Sequence, residues 1–298
     1  MLSCLFVLNP NAGLRAGRRL LPDLLLRLEE ADYLPTVFVT RQRGEAIDLV
    51  RDLGGTVDLI VACGGDGTLN EVITGLIRGE HKTPLGYIPC GSTNDFASGL
   101  GIPIDPLQAC DDLLRGDLRP LDVGLFGEDR FFSYTASFGA FTAVSYSTPQ
   151  NVKNVLGHAA YILEGIRSLA DIRPLHARIT VDGRTFEQDY IFGAICNSTS
   201  LGGVLRLENS AVHMSDGLFE SLLIPFPADL LALNGILNAL RTHDYAHPSL
   251  TFTRASSFLV ESDPPIRWTL DGEEAEGARE LRIRNLRQAI LLKTASRE

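Results

Sequence analysis

Apolar and polar residues alternate in blocks along the first 118 positions. Positions 2–8, 59–63 and 84–89 are short, nearly continuous apolar runs, the pattern of strands covered on both faces. Positions 36–40 alternate as a further strand. Leu20, Leu24, Leu25 and Leu28 fall on one helical face, Gly44-Glu45-Ala46 opens a second helix through Val50 and Leu53, and Leu69, Val72, Ile73, Leu76 and Ile77 mark a third. Strand and helix in turn imply a parallel sheet that binds ligands outside the carboxyl ends of its strands. The loops at 9–13, 40–45, 64–68 and 91–95 would open on that edge.

The texture changes after Leu118. Positions 122–126, 130–138, 177–181, 185–196 and 218–224 are β-rich, punctuated by Asp182-Gly183 and Asp216-Gly217 turns, with helical stretches near 154–170 and 228–241. Positions 266–270 form a strand leading into an acidic Asp-Gly turn, and Leu281, Ile283, Leu286 and Ile290 to Leu292 suit closing strands. The fold class is therefore α/β plus mainly β. Residues 1–120 form a parallel α/β nucleotide-binding domain and 121–298 a β-rich, sandwich-like one, with the last strands either staying there or returning to the first.

One stretch concentrates the chemistry. After the apolar run 59–63, Gly64, Gly65 and Gly67 surround Asp66, and a helix follows. Glycines let the backbone approach a phosphate, and the N–H groups of a helix's first turn face the anion. A plain βα turn explains three glycines as well, but Asp66 would repel a bare phosphate unless a cation stands between them. A nucleotide with Mg²⁺ meets that condition. Neither a P-loop nor a dinucleotide fingerprint is present. Arg15, Arg18 and Arg19 read equally as a solvated helix end or as contacts for phosphates or anionic lipid; Lys153, His158 and Arg167 read as ordinary surface.

Composition narrows the partners. The 298 residues carry a net charge of −10, which argues against nucleic acid. No apolar run is long enough for a membrane span. Five scattered cysteines without a C-x-x-C pair make zinc or a disulfide framework a poor expectation, and the first residues read as a strand and not as a leader. Asn197-Ser-Thr199 matches a glycosylation sequon that a cytoplasmic chain would not use. The Ala/Leu-rich stretch 228–241 is explained equally by a core helix or a homodimer contact.

Taken in order, these residues resemble the diacylglycerol kinase catalytic family, in the bacterial soluble branch related to sphingosine and ceramide kinases. The markers are Asn9-Pro10-x-x-Gly13, Thr40 with Gly44-Glu45-Ala46, Gly64 to Val72, Gly91 to Phe96, Asp122-Val-Gly, Asn197-Ser with Gly202-Gly203, Asp216-Gly217-Leu218-Phe219 and Asp271-Gly272-Glu273. The glycine–Asp motif alone is shared with NAD kinases and phosphofructokinases; the ordered set is more specific. The resemblance implies ATP contacts at Asn9, Pro10, Asn11, Ala12, Gly13, Thr40, Gly65, Asp66, Gly67, Thr68, Leu69, Asn70, Glu71 and Ser92. It implies an acidic, Mg²⁺-linked network at Asp66, Asp95 and Asp122, and a partly structural Mg²⁺ at Asp216 with the carbonyls of His213 and Leu218. Glu273 matches the proton acceptor, with Asp271 as the other candidate base. Ala12 stands where the family usually has Ser, and Ala211 where Pro is frequent.

Those roles describe an ATP- and Mg²⁺-dependent lipid kinase, cytoplasmic and peripheral at the inner membrane surface, making phosphatidic acid from diacylglycerol. A soluble-substrate kinase acting on NAD, and a nucleotide- or membrane-binding module without turnover, are the alternatives. The acids from Asp122 onward disfavour both.

Overall fold

The computed structural model describes residues 1–139, 174–198, 200–201, 205–206 and 213–295. The helix expected near 154–170 with Lys153, His158 and Arg167, and also Thr199, Gly202, Gly203 and Ala211, lie outside the described residues. The chain divides into two compact units, Met1–Val123 with Leu286–Glu298, and Gly124–Asn285.

In the first unit β1 (Leu2–Leu8), β2 (Tyr33–Val39), β3 (Leu59–Gly64) and β4 (Leu85–Pro89) are parallel, in the order β2-β1-β3-β4. The end of β17 (Glu280–Thr294) adds a fifth parallel neighbour through Leu292 and Leu85. The helices are α1 (Ala16–Glu30), α2 (Glu45–Leu53), α3 (Asp66–Arg78), α4 (Asp95–Leu100) and α5 (Pro106–Arg115). Alternate strand residues Phe6, Leu8, Val61, Cys63 and Ile88 pack with Leu24 and Leu28 of α1 and Cys110 and Leu113 of α5. By the two-residue period of a strand, Leu5, Val7, Ile60 and Ala62 point to the other face, and all four are buried. Covering on both faces is what makes these strands read as unbroken apolar runs. The chain steps from β1 to β2 on one side, then crosses to β3 on the other. The crevice between the ends of β1 and β3 is therefore the topological switch point, where such sheets bind ligands.

The second unit is antiparallel. Its strands are the end of β5 (Asp117–Phe126), β6 (Arg130–Phe132), β7 (Thr135–Gly139), β8 (Leu175–Val181), β9 (Arg184–Cys196), β12 (Phe219–Pro225), β13 (Thr251–Ala255), β14 (Ser257–Glu261), β15 (Arg267–Leu270), β16 (Glu273–Glu276) and the start of β17. A two-stranded piece pairs β10 (Ser200–Leu201) with β11 (Leu205–Arg206). Asp182-Gly183 and Asp271-Gly272 make two-residue hairpins, joining β8 to β9 and β15 to β16. All four residues have φ between 47° and 84°, the left-handed pair such turns require. One core gathers Phe126, Phe132, Phe138, Phe219, Phe258 and Trp268. A second packs Ile191, Cys196, Leu222 and Ile224 against Ile236, Ala239 and Leu240 of α6 (Leu230–Thr242), which accounts for that helix's apolar face.

Three readings of the sequence need correction. Positions 130–138 form two strands, because a carboxylate takes the backbone N–H groups of Ser133 and Tyr134. The acidic segment 273–276 is itself a strand, and 251–261, unread in the sequence, supplies β13 and β14. Positions 280–294 make one strand, not several.

Candidate active site

The first unit knots three loops together at the switch point. Leaving β1, Asn9 donates its N–H to the Cys63 carbonyl at 2.9 Å and its side-chain amide to the Thr68 hydroxyl at 3.1 Å, while its Oδ1 accepts the Asn11 N–H at 3.0 Å. Gly13 has φ +49°, and a Cβ there would lie 2.4 Å from the Cys90 carbonyl oxygen. A Cβ on Gly91 would lie 2.6 Å from the Gly65 Cα. Only glycine permits backbones this close. A fourth loop joins through Thr40, whose N–H meets the Leu8 carbonyl at 2.9 Å, and through Gly44, whose N–H meets Glu71 Oε1 at 2.8 Å. The residue before α3 is Gly65, which has no side chain of its own to cap the helix. Pro10, Asn11, Ala12, Gly67 and Ser92 are half-buried or exposed around it, Thr68 and Leu69 lie beneath, and Asn70 is half-buried.

Asp66 opens α3. Its carboxylate accepts the N–H groups of Asp95 at 3.1 Å and Phe96 at 3.3 Å, so it caps α4 from the neighbouring loop. Burial, and then the Asp66 charge, push the Tyr87 hydroxyl well above its ordinary range. Asn94 clasps Gly91 from both sides, accepting its N–H at 2.9 Å and donating to its carbonyl at 3.0 Å. Asp122 is buried and accepts the Gln288 N–H at 2.7 Å, fastening β5 to the end of β17.

In the second unit Asp271 is the first residue of its hairpin turn and 8% exposed. Its Oδ2 accepts the Ser133 N–H at 2.6 Å and hydroxyl at 2.7 Å, and its Oδ1 accepts the N–H groups of Tyr134 and Thr135 at 3.0 Å. Burial pushes this carboxyl up, and the four hydrogen bonds oppose it. Glu273, two residues on, is half-buried.

A third set of acids lies at β12 and β13. Asp216 Oδ1 accepts the Leu218 N–H at 2.9 Å, and Arg254 donates to Asp216 Oδ2 at 2.6 Å and to Glu220 Oε1 at 3.0 Å. His213 is exposed, and its carbonyl accepts the Asp216 N–H at 3.3 Å. Burial pushes the Glu220 carboxyl up to about 7, against the pull of Arg254. Each Asp216 oxygen takes one donor, two of the four that a carboxylate can accept, and the Arg254 guanidinium supplies a positive charge beside it. Among the described residues, no three His, Cys, Asp or Glu side chains are placed to share one ion.

The nucleotide-type loops are thus brought together as the sequence implies, with Asp95 beside Asp66, and Asp271 shares a hairpin with Glu273. Tyr87, Ser133, Glu220 and Arg254 escaped the sequence reading, and Asn94 entered it only as part of the Gly91 to Phe96 marker. Glu220 had a signal, an acid inside the apolar strand Phe219–Pro225. Arg254 had none, since its partners lie 34 and 38 residues away.

A glycine cradle around an acid at the switch point of a parallel sheet defines a phosphate-handling α/β protein. Comparison with known proteins gives the family. Residues 3–126 match the diacylglycerol kinase catalytic domain, and residues 135–291 match the YegS C-terminal NAD kinase beta sandwich-like domain. The chain is 33% identical to a diacylglycerol kinase of Staphylococcus saprophyticus over 90% of its length and 87% of the relative's. It is 32% identical to one of Staphylococcus aureus, over 90% and 84%. A solved Bacillus anthracis str. Sterne structure superposes with a TM-score of 0.80 at 24% identity, covering 98% of this chain and 94% of that one. A diacylglycerol kinase structure from the same organism gives 0.73 at 21%, covering 98% and 96%. These two speak to the fold alone. The chain belongs to the diacylglycerol kinase family and is a kinase.

Proposed function

We propose that the chain transfers the γ-phosphate of ATP, taken up as its Mg²⁺ complex, to the hydroxyl of a membrane lipid, with diacylglycerol as acceptor and phosphatidic acid as product. The observation that carries this reading is the glycine cradle at the switch point, with Asp66 at the mouth of α3. Asn9 to Gly13, Thr40, Gly65 to Glu71 and Ser92 would hold the nucleotide, the backbone N–H groups at the start of α3 meeting phosphate oxygens. Bound with the phosphates, Mg²⁺ would neutralise their charge, and it commonly takes only one or two carboxylates from the protein. Asp66, with Asp95 beside it, is suited to that role; Asp122 would support it from the sheet.

Glu273 is the better base for the acceptor hydroxyl. Four donors occupy the lone pairs of Asp271, whereas Glu273 is half-buried and keeps a face open to solvent. For Asp216 the geometry favours Arg254 over an ion as countercharge. No helix among the described residues is long and apolar enough to cross a membrane, so lipid would be met at the membrane surface.

The test is transfer of labelled γ-phosphate from ATP into vesicle-borne lipids, with NAD as a soluble control, with and without Mg²⁺. Label in diacylglycerol that depends on Mg²⁺ bears out the reading; label in NAD alone replaces it with the soluble-substrate kinase. Glu273→Gln is expected to cut transfer by about 10²–10³-fold while ATP still binds. Near-normal transfer would move the base elsewhere.

A further inference from the structure

Four of the five cysteines, Cys4, Cys63, Cys90 and Cys110, lie in one core of the first unit, and the kinase chemistry uses none of them. Two form a pair. Cys63 near the end of β3 and Cys90 just past β4 are 0% and 5% exposed, with their sulfurs 3.7 Å apart. They stand immediately before Gly64-Gly65 and Gly91, the glycines that meet backbone to backbone. The Cys90 N–H donates to the Gly64 carbonyl at 2.7 Å, and the Cys90 carbonyl is the atom a side chain on Gly13 would strike. Gly17 of α1 roofs the pair: a Cβ there would lie 2.8 Å from Cys63 Sγ and 3.3 Å from Cys90 Sγ. The sulfurs therefore form the floor of the phosphate cradle, in a space kept open by a glycine.

We propose that Cys63 and Cys90 are a dithiol–disulfide modification site, whose oxidation by hydrogen peroxide distorts the cradle above it. The Cys90 thiol is lowered by its hydrogen bond with Cys63 and by the Gly17 N–H, whereas Cys63 is raised by the same hydrogen bond and by burial. Cys90, 5% exposed where Cys63 is fully covered, is also the sulfur that peroxide reaches first, and it is the attacking one. Its thiolate takes one peroxide oxygen as the O–O bond breaks, giving a sulfenic acid and hydroxide, which leaves as water with the Cys90 proton. The Cys63 sulfur then attacks the Cys90 sulfur; the S–O bond breaks and a second water leaves with the Cys63 proton. Two thiols are oxidised and one peroxide is reduced. A disulfide needs its sulfurs about 2.05 Å apart, so the pair must close by roughly 1.6 Å. With Gly65 and Gly91 already in contact, that movement reaches the loops.

The experiment treats the full chain with excess hydrogen peroxide, blocks remaining thiols and maps peptides, with ATP affinity measured in parallel. A Cys63–Cys90 linked peptide that dithiothreitol removes, absent in Cys63→Ala and retained in Cys110→Ala, is expected. Oxidation should weaken ATP binding about tenfold, reversed by dithiothreitol and missing in Cys63→Ala. No linked peptide in the wild-type chain, or linkage through Cys4 or Cys110 instead, overturns the site; unchanged ATP affinity of the linked protein overturns its effect on the cradle. The effect on ATP rests on the proposed kinase reading, but the peptide map does not. If reduced protein fails to bind ATP, that reading falls while the disulfide is still decided.

Discussion

Asp66 in the first unit and Asp271 in the second both hold backbone N–H groups of another segment. Asp66 is half-buried and accepts two from the start of α4, keeping an edge at the surface beside the glycine loops. Asp271 is buried and accepts three plus a hydroxyl, which fill its lone pairs. Residue type and neighbouring glycines are alike in the two places. Burial and the donors around each carboxylate separate a group that can meet a ligand from one that fastens a strand.

Removing each acid should sharpen that contrast. Asp66→Ala is expected to lower kcat/KM by about three orders of magnitude, the upper range for loss of one preorganised electrostatic group. Its melting temperature should drop far less than that of Asp271→Asn; a collapse of the fold in Asp66→Ala would make the two acids equivalent. Asp271→Asn presents an amide donor to donors and should cost about 3–5 kcal/mol in urea unfolding. A loss of activity with full stability would instead return Asp271 to the chemistry. Arg254→Leu leaves Glu220 buried and Asp216 without its partner, a loss of about 2 kcal/mol. Chelation by EDTA should leave the wild-type melting temperature unchanged, and a clear fall would restore an ion to Asp216. Changing Arg15, Arg18 and Arg19 together to Gln should leave stability intact and weaken only binding to anionic vesicles, by about 1 kcal/mol per residue. Unchanged sedimentation with vesicles at low salt would leave them as a solvated helix end.

Much of the first unit is visible in the sequence because its signals are local. Apolar runs followed by glycines within a few residues mark β1, β3 and β4, and the cradle lies where those runs stop. The second unit hides more. Thr251, Thr253 and Arg254 in β13 give little apolar signal, since that strand gains its stability from pairing with β12 and from Arg254's bonds to Asp216 and Glu220. The break between β6 and β7 was illegible for a similar reason: the carboxylate that makes it comes 138 residues later. Asp182-Gly183 and Asp271-Gly272 were legible as turns, yet the bond from Asp271 to the start of β7 joins residues 136 positions apart and leaves no local signal.

The end of β17 has a consequence for how the protein is made. Lys82, just before β4, bonds to the carbonyl of Ala289, 207 residues further along the chain. At roughly 5–20 residues per second of translation, β4 waits tens of seconds with that edge unpaired after it leaves the ribosome. During that interval the nascent first unit offers a bare strand to any other chain nearby. A version shortened before residue 286 would stay in that state permanently, and its fate in a cell would be aggregation or proteolysis.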